Sequence, residues 1–193
     1  GNSSQIVGNI QLRNILGKEH QPFSMDGDFY KLSTNYEQLC KLLPNLLGNS
    51  LPIEIKRLGN FNLLGTVFVN KVNLNTDFFV TSGLGNVRAN LAIQGIQKID
   101  DASYKGSIDF DKFNIGQLLQ VKNLGRISAE FDIDGSGFKR NNANLPTKGE
   151  ISKIYYNQYN YSNIVVDGSI NSPYFEGKLN VNDPNLFMDF EGF

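Results

Sequence analysis

Residues 127–134 read Ile127-Ser128-Ala129-Glu130-Phe131-Asp132-Ile133-Asp134. Ile127, Ala129, Phe131 and Ile133 share one parity; Ser128, Glu130, Asp132 and Asp134 share the other. Successive side chains of a strand point to opposite faces, so this stretch builds a strand with one dry and one wet face. Working outward, Val87, Ala89, Leu91 and Ile93 alternate with Asn86, Arg88 and Asn90. Phe175, Gly177, Leu179 and Val181 alternate with Tyr174, Glu176, Lys178 and Asn180. Leu186, Met188 and Phe190 alternate with Asp189 and Glu191, Phe187 being the exception. Weaker versions run through Gly65, Val67 and Val69, through Gly106, Ile108 and Phe110, and through Ile6, Ile10 and Leu12.

Turn chemistry separates these runs. Asn171-Ser172-Pro173 follows the strand ending at Ile170, and Asn182-Asp183-Pro184-Asn185 precedes Leu186. Asn and Asp fold back onto their own backbone and Pro presets its dihedral, so both clusters make tight reversals. Links this short join antiparallel neighbours, because a parallel pair needs a long crossover. The polar stretch Lys139 to Pro146 reads as a loop. One segment reads as helix: Tyr36, Leu39, Cys40, Leu43, Leu46 and Leu47 recur at threes and fours. Ser33 or Thr34 would cap it, with Glu37 three residues after Thr34, and Pro44 ends or kinks it. A further helical turn is expected from Ile115 to Gln120.

The expected fold is mostly β, with long antiparallel strands and one short amphipathic helix near 34–47. The chain reads as one continuous unit of N-terminal strands (1–33), a helical insert (34–50) and a strand meander (51–193). Charged residues make up 19% of its 193 residues and the net charge is -1. That leaves no basic field for phosphate backbones, so no nucleic-acid partner is expected. No run of 18 apolar residues is present to span a bilayer as a helix.

Catalytic chemistry is sparse. His20 is the single histidine, and no triad or histidine metal site assembles around it. Cys40 lies on the apolar helix stripe and reads as a structural thiol. Glu130, Asp132, Asp134 and Gly135 are reminiscent of part of a calcium loop, but its twelfth position is Asn141, without a bidentate carboxylate. Gly83-Leu84-Gly85 and Gly135-Ser136-Gly137 complete no nucleotide-binding fingerprint. The tyrosines at 155, 156, 159 and 161 cluster, either to stack a ligand or to pack across strands. The chain is therefore expected to be no enzyme and to hold no cofactor and no metal.

The apolar parity offers a different function. Val87, Leu91, Ile127, Phe131, Ile133, Ile164, Val166, Ile170, Phe175, Leu179, Val181, Leu186, Met188 and Phe190 would line the dry side of the sheet. Curled and left open, that side makes a groove for acyl chains; closed, the same residues fill a sandwich or barrel. Three function classes follow: a lipid conduit, an assembly factor that templates client strands on open sheet edges, and a structural or adhesive module with a filled core.

A family resemblance favours the lipid conduit and leaves the other two as alternatives. The stretches LLPNLLGNSLPIEIKRLGNFNLLGTV, YKGSIDFDKFNIGQLL and LGRISAEFDIDGSGF carry it, and most of all GEISKIYYNQYNYSNIVVDGSINSPYFEGKLNVNDPNLFMDFEG. In the last, Tyr155 and Tyr161, Asn163-Ile164, Gly168, Phe175 with Gly177, and Asp183 to Leu186 form one phrase. From Leu51 to Phe193 the chain resembles the periplasmic repeat region of the TamB family, translocation and assembly modules of the AsmA-like superfamily, in its Bacteroidetes form. The resemblance implies an internal piece of a periplasm-spanning protein anchored in the inner membrane of a Gram-negative cell envelope. It implies a β-taco, a curled sheet around a greasy groove, and roles in phospholipid transport and outer-membrane biogenesis. The implied partners are phospholipid or another acyl-chain lipid, and a TamA-like barrel engaged through regions outside this stretch.

Overall fold

A computed structural model describes residues 4–14, 22–42, 53–137, 144–171 and 174–192, without the side chains of residues 42, 99, 144, 145, 170 and 171. Eleven strands follow one another: β1 (Gln5–Arg13), β2 (Ser24–Asn35), β3 (Asn60–Asn70), β4 (Asn73–Ser82), β5 (Gly85–Gln94), β6 (Ser103–Asn114), β7 (Leu124–Ser136), β8 (Asn144–Tyr156), β9 (Tyr159–Asn171), β10 (Tyr174–Asp183) and β11 (Leu186–Gly192). Each pairs antiparallel with the next, giving one sheet in chain order. β1 and β11 are its two edges, and they do not meet to close a barrel. The expected antiparallel β class is the observed one.

The helices are short. α1 spans Tyr36–Leu42 and α2 spans Ile115–Leu119, with 3-10 helices at Ile53–Leu58 and Ile96–Asp101. The cap of α1 is Asn35, whose Oδ1 accepts from Gln38 N at 3.0 Å. Ser33 and Thr34 belong to β2 instead: pairing with β3 persists to Asn35, so the strand carries the backbone past both. The expected helical residues beyond Leu42, Leu43, Leu46 and Leu47 among them, lie outside the described residues, as do Lys139 to Ala143 of the expected loop. Its end, from Asn144 to Pro146, is strand. Asn114 Oδ1 caps α2 at Gln117 N, 3.0 Å away.

Three dry-face steps are three residues long instead of two. Phe29 to Leu32, Phe110 to Phe113 and Ile151 to Ile154 each bracket a bulge. An extra residue shifts the side-chain parity, and the next apolar residue returns to the same face. Two mid-sheet glycines allow a close approach between strands. Gly65 (φ 127°) and Gly106 (φ 150°) occupy backbone positions that disfavour L side chains. A Cβ on either would lie 1.9 Å from a neighbouring strand's carbonyl oxygen, that of Asp77 or Asn90. Only glycine lets these strands approach so closely.

Burial follows the curl. Met25, Phe29, Leu32, Leu63, Val67 and Val69 form one buried cluster with Ile93 and Tyr104, and Ile96 and Ala102 join it from the β5–β6 connection. A second gathers Leu84, Phe113, Ile127 and Ala129, with Leu58, Ile115 and Leu118 packed against it. Arg57 ties that margin by donating from Nη1 to the Leu118 carbonyl at 2.5 Å. The third holds Ile164, Val166 and Val181 on β9 and β10. Among the described residues no second sheet covers this face, so the sheet shelters them by bending around its own dry face.

Candidate functional site: an apolar trough

The register joins residues from all eleven strands into continuous rows. One runs Ile6, Leu32, Leu63, Val80, Val87, Phe110, Ala129, Ile151, Ile164, Val181, Met188, each paired with the next. A second runs from Gly8 and Phe29 through Phe78, Ile108, Phe131 and Val166 to Leu179 and Phe190. A third runs from Ile10 through Val67, Leu91 and Ile133 to Gly168, Gly177 and Gly192. None contains Asp, Glu, Lys or Arg; the polar members are Thr76 and Thr147, both in the third. Strands lie ~4.8 Å apart, so ten steps carry each row about 48 Å across the sheet.

Glycine and aromatic residues shape this surface together. Rings lie where a glycine Cβ would otherwise stand: Phe131 beside Gly149, Phe175 beside Gly168, Phe29 beside Gly27. Each ring covers backbone that glycine leaves bare, so the lining stays thin and dry. Phe110 meets Phe131 edge-on with centroids 6.5 Å apart, and Phe113 at 5.6 Å. Phe175 and Phe190 stand 6.4 Å apart near the β11 edge.

In mid-sheet the dry face is only partly covered. Val80, Val87, Leu91, Ile108, Phe110, Phe131 and Ile133 are all only partly buried. A packed sandwich would cover such residues with a facing layer. Among the described residues no facing sheet does so, and these side chains keep part of their surface uncovered beside the buried clusters. At the edges exposure rises further, to 45% at Ile10 and 40% at Phe190.

The sequence-derived candidates take their places on these rows. Val87, Ile164, Val181 and Met188 lie on the first, Phe131, Val166, Leu179 and Phe190 on the second, Leu91 and Ile133 on the third. Ile127 stands beside Phe113 in the second buried cluster. Phe175 pairs with Ile170, whose own side chain lies outside the described set. Leu186 pairs with Asp183 at the β10–β11 turn and is 36% exposed, so it forms a rim. The sequence reading missed the β2 and β4 wall, with Met25, Phe29, Leu32, Phe78 and Val80, and it missed Ile151 on β8. Phe187, the exception in the alternation, faces outward and is 74% exposed.

The wet face is held by cross-strand pairs: Lys105–Asp134 at 2.8 Å, Lys148–Asp167 at 3.1 Å and Lys178–Glu191 at 3.3 Å. The Asp134 carboxylate raises the Lys105 ammonium by hydrogen bonding and by its charge. A shallow hollow of about 580 Å³ on this face is lined by Asn90, Lys105, Ser107, Asp132, Lys148 and Asp167 among others, but both lysines already hold carboxylate partners.

Asp183 is the most engaged acid. It is 6% exposed and accepts from Asn185 N at 2.9 Å, Tyr159 Oη at 2.9 Å, Ser162 N at 2.8 Å and Ser162 Oγ at 2.9 Å. The Asn185 N–H, with Tyr159 and Ser162, pulls its pKa below the ordinary value of 3.8 against the opposing effect of burial. The same hydrogen bond raises the Tyr159 phenol. Tyr159 packs edge-on against Tyr161 at 4.7 Å. These two tyrosines thus lock adjoining turns together, while Tyr155 and Tyr156 are exposed. Cys40 is half-buried on α1, and His20 and Asn141 lie outside the described residues. Among the described residues no group of three or more His, Cys, Asp or Glu is placed to hold a metal ion.

Compared with known proteins, the chain matches no family model, no curated protein and no solved structure.

Proposed function

We propose that the chain shields lipid acyl chains in its apolar trough, as a non-enzymatic segment of an envelope protein that moves phospholipid toward an outer membrane. The observation that carries this reading is the set of charge-free rows crossing all eleven strands while the mid-sheet residues keep open surface. At about 48 Å a row exceeds the ~30 Å hydrocarbon core of a whole bilayer, so a tail from one leaflet lies along it with room to travel. Burying ten methylenes there gains roughly 8 kcal/mol at ~0.8 each. Aliphatic and aromatic walls fix no single position, because no hydrogen bond pins a hydrocarbon. The wet face, with its paired charges, keeps the other side in water. The TamB-like phrases noted above are consistent with this use, and with a parent anchored in an inner membrane and facing a TamA-like partner. Among the described residues no helix is long and apolar enough to cross a membrane.

The test is native mass spectrometry of the chain secreted to the periplasm of a Gram-negative host. Co-purifying phospholipid at defined stoichiometry is expected. A chain that stays lipid-free, also after incubation with phosphatidylethanolamine vesicles, refutes the proposal.

A further inference from the structure

Where β6 gives way to β7, the rim of the sheet carries features that the trough does not use. α2 packs Ile115 and Leu118 onto the second buried cluster. Leu119 and Val121, at its end, stay 49% and 45% exposed. The β8–β9 turn is tied alongside, Asn157 N donating to the Asn123 carbonyl at 2.8 Å. It brings up Tyr156, 51% exposed and paired with Leu124, and Tyr155, whose ring lies over Gly125. Four cations surround this rim. Lys122 is in the turn itself, and Arg126 follows it on β7, donating from Nη1 to the Lys112 carbonyl at 2.7 Å. Lys112 and Lys153 each stand at a bulge and flank the same residue, Ser128. Lys112 N donates to Ser128 Oγ at 3.0 Å, and Lys153 is paired with Ser128 in the register. All four cations are exposed, and among the described residues none of them has a carboxylate partner, unlike Lys105, Lys148 and Lys178. Glu130 and Glu150, the acids next along these strands, pair with each other further from the turn.

We infer that this rim is a membrane-docking surface, and that its occupant is the headgroup layer of a bilayer containing anionic phospholipid. Tyrosine settles at the boundary of hydrocarbon and water, with its ring on one side and its hydroxyl on the other. Leu119 and Val121 supply shallow apolar anchors between the two tyrosines and Lys122. Lysines without carboxylate partners are free to meet lipid phosphates, and their attraction adds up over the patch. The chain as a whole has a net charge of -1, so attraction to an anionic surface has to be local. It is also one-sided: the connection at the other end of β6, Ile96–Asp101, carries Asp100 and Asp101. The tips of two adjoining turns form a convex rim, which a deformable headgroup layer accepts without a shaped pocket. A trough that carries lipid has to meet a bilayer, and the rim beside α2 supplies the place.

The test is sedimentation of the full chain with vesicles of phosphatidylglycerol and phosphatidylcholine, and with phosphatidylcholine alone. Binding to the first and not the second is expected, and it should fade in high salt. Lys112→Gln with Lys122→Gln should weaken it about 30-fold, and Leu119→Ser with Val121→Ser should weaken it as well. Lys71→Gln with Lys98→Gln, an equal loss of charge from exposed lysines at the opposite ends of the strands, should leave it unchanged. All of these are surface changes, and an unaltered β spectrum checks that each variant folds. No binding overturns the inference. So does equal binding to phosphatidylcholine alone, binding that survives either rim variant, or an equal loss in the Lys71 and Lys98 variant. A photo-crosslinker at Val121 that marks protein and no lipid assigns the rim to a protein partner and overturns it too. Carried phospholipid is read on the same samples by native mass spectrometry. A chain that docks but carries no lipid loses the trough and keeps the docking rim, and one that carries lipid but does not dock does the reverse.

Discussion

Replacing Phe131 with arginine separates an open trough from a filled core. The ring stands in the second row on β7, beside Gly149, with Phe110 edge-on at 6.5 Å, and it is only partly buried. A phenylalanine buries about 150–250 Å² when fully covered. Losing one-half to two-thirds of that at ~25 cal/mol per Å² costs about 2–4 kcal/mol. In an open trough the arginine stem follows the ring's path along the wall and its guanidinium reaches water, so little is added for the charge. In a closed interior the unpaired charge alone would cost several kcal/mol more, comparable with the ~5–15 kcal/mol stability of a whole domain. Urea unfolding of Phe131→Arg should therefore remain cooperative, with an unchanged β spectrum and a loss of about 2–4 kcal/mol. Bound phospholipid should fall sharply in the same sample. A variant that cannot fold, or one that folds and keeps its full lipid load, refutes the reasoning.

Two further outcomes follow from the backbone and the Asp183 network. Gly106→Val forces a Cβ against the Asn90 carbonyl at an unfavourable φ and should cost about 1–3 kcal/mol or more in urea unfolding; full stability would show that β5 and β6 do not approach so closely. Asp183 has a folded pKa below 3.8, so its contribution is complete above that value and is lost as pH falls through the lower folded pKa. The melting temperature of the native chain should drop on acidification below about pH 4, and Asp183→Asn should start lower and flatten that limb; parallel pH profiles would remove Asp183 from the stability argument.

The strands legible in the sequence were those with unbroken alternation. Val87 to Ile93, Ile127 to Ile133 and Phe175 to Val181 each keep strict parity, and each lies on the dry face. β2 and β8 escaped for a physical reason: their bulges make Phe29–Leu32 and Ile151–Ile154 three-residue steps, which read as helical or irregular spacing. β4 escaped because Phe78, Phe79 and Val80 are consecutive, and only cross-strand pairing sends Phe79 outward. The expected cap at Ser33 or Thr34 lost to Asn35 because strand pairing to β3 outlasts both residues. Whether the trough is open was not legible at all. Alternation fixes which side is dry, and only the serial pairing of eleven strands shows that, among the described residues, no second sheet covers it.

The most direct measurement is methyl NMR of the chain with a fatty acid carrying a nitroxide at the end of its tail. If tails lie along the rows, the methyls of Val80, Val87, Ile151, Ile164 and Val181 broaden strongly. Those of Val165 and Val121, which are exposed away from the row, stay sharp. Broadening that is absent, or equal at Val165 and Val166, would mean that the dry face takes no hydrocarbon.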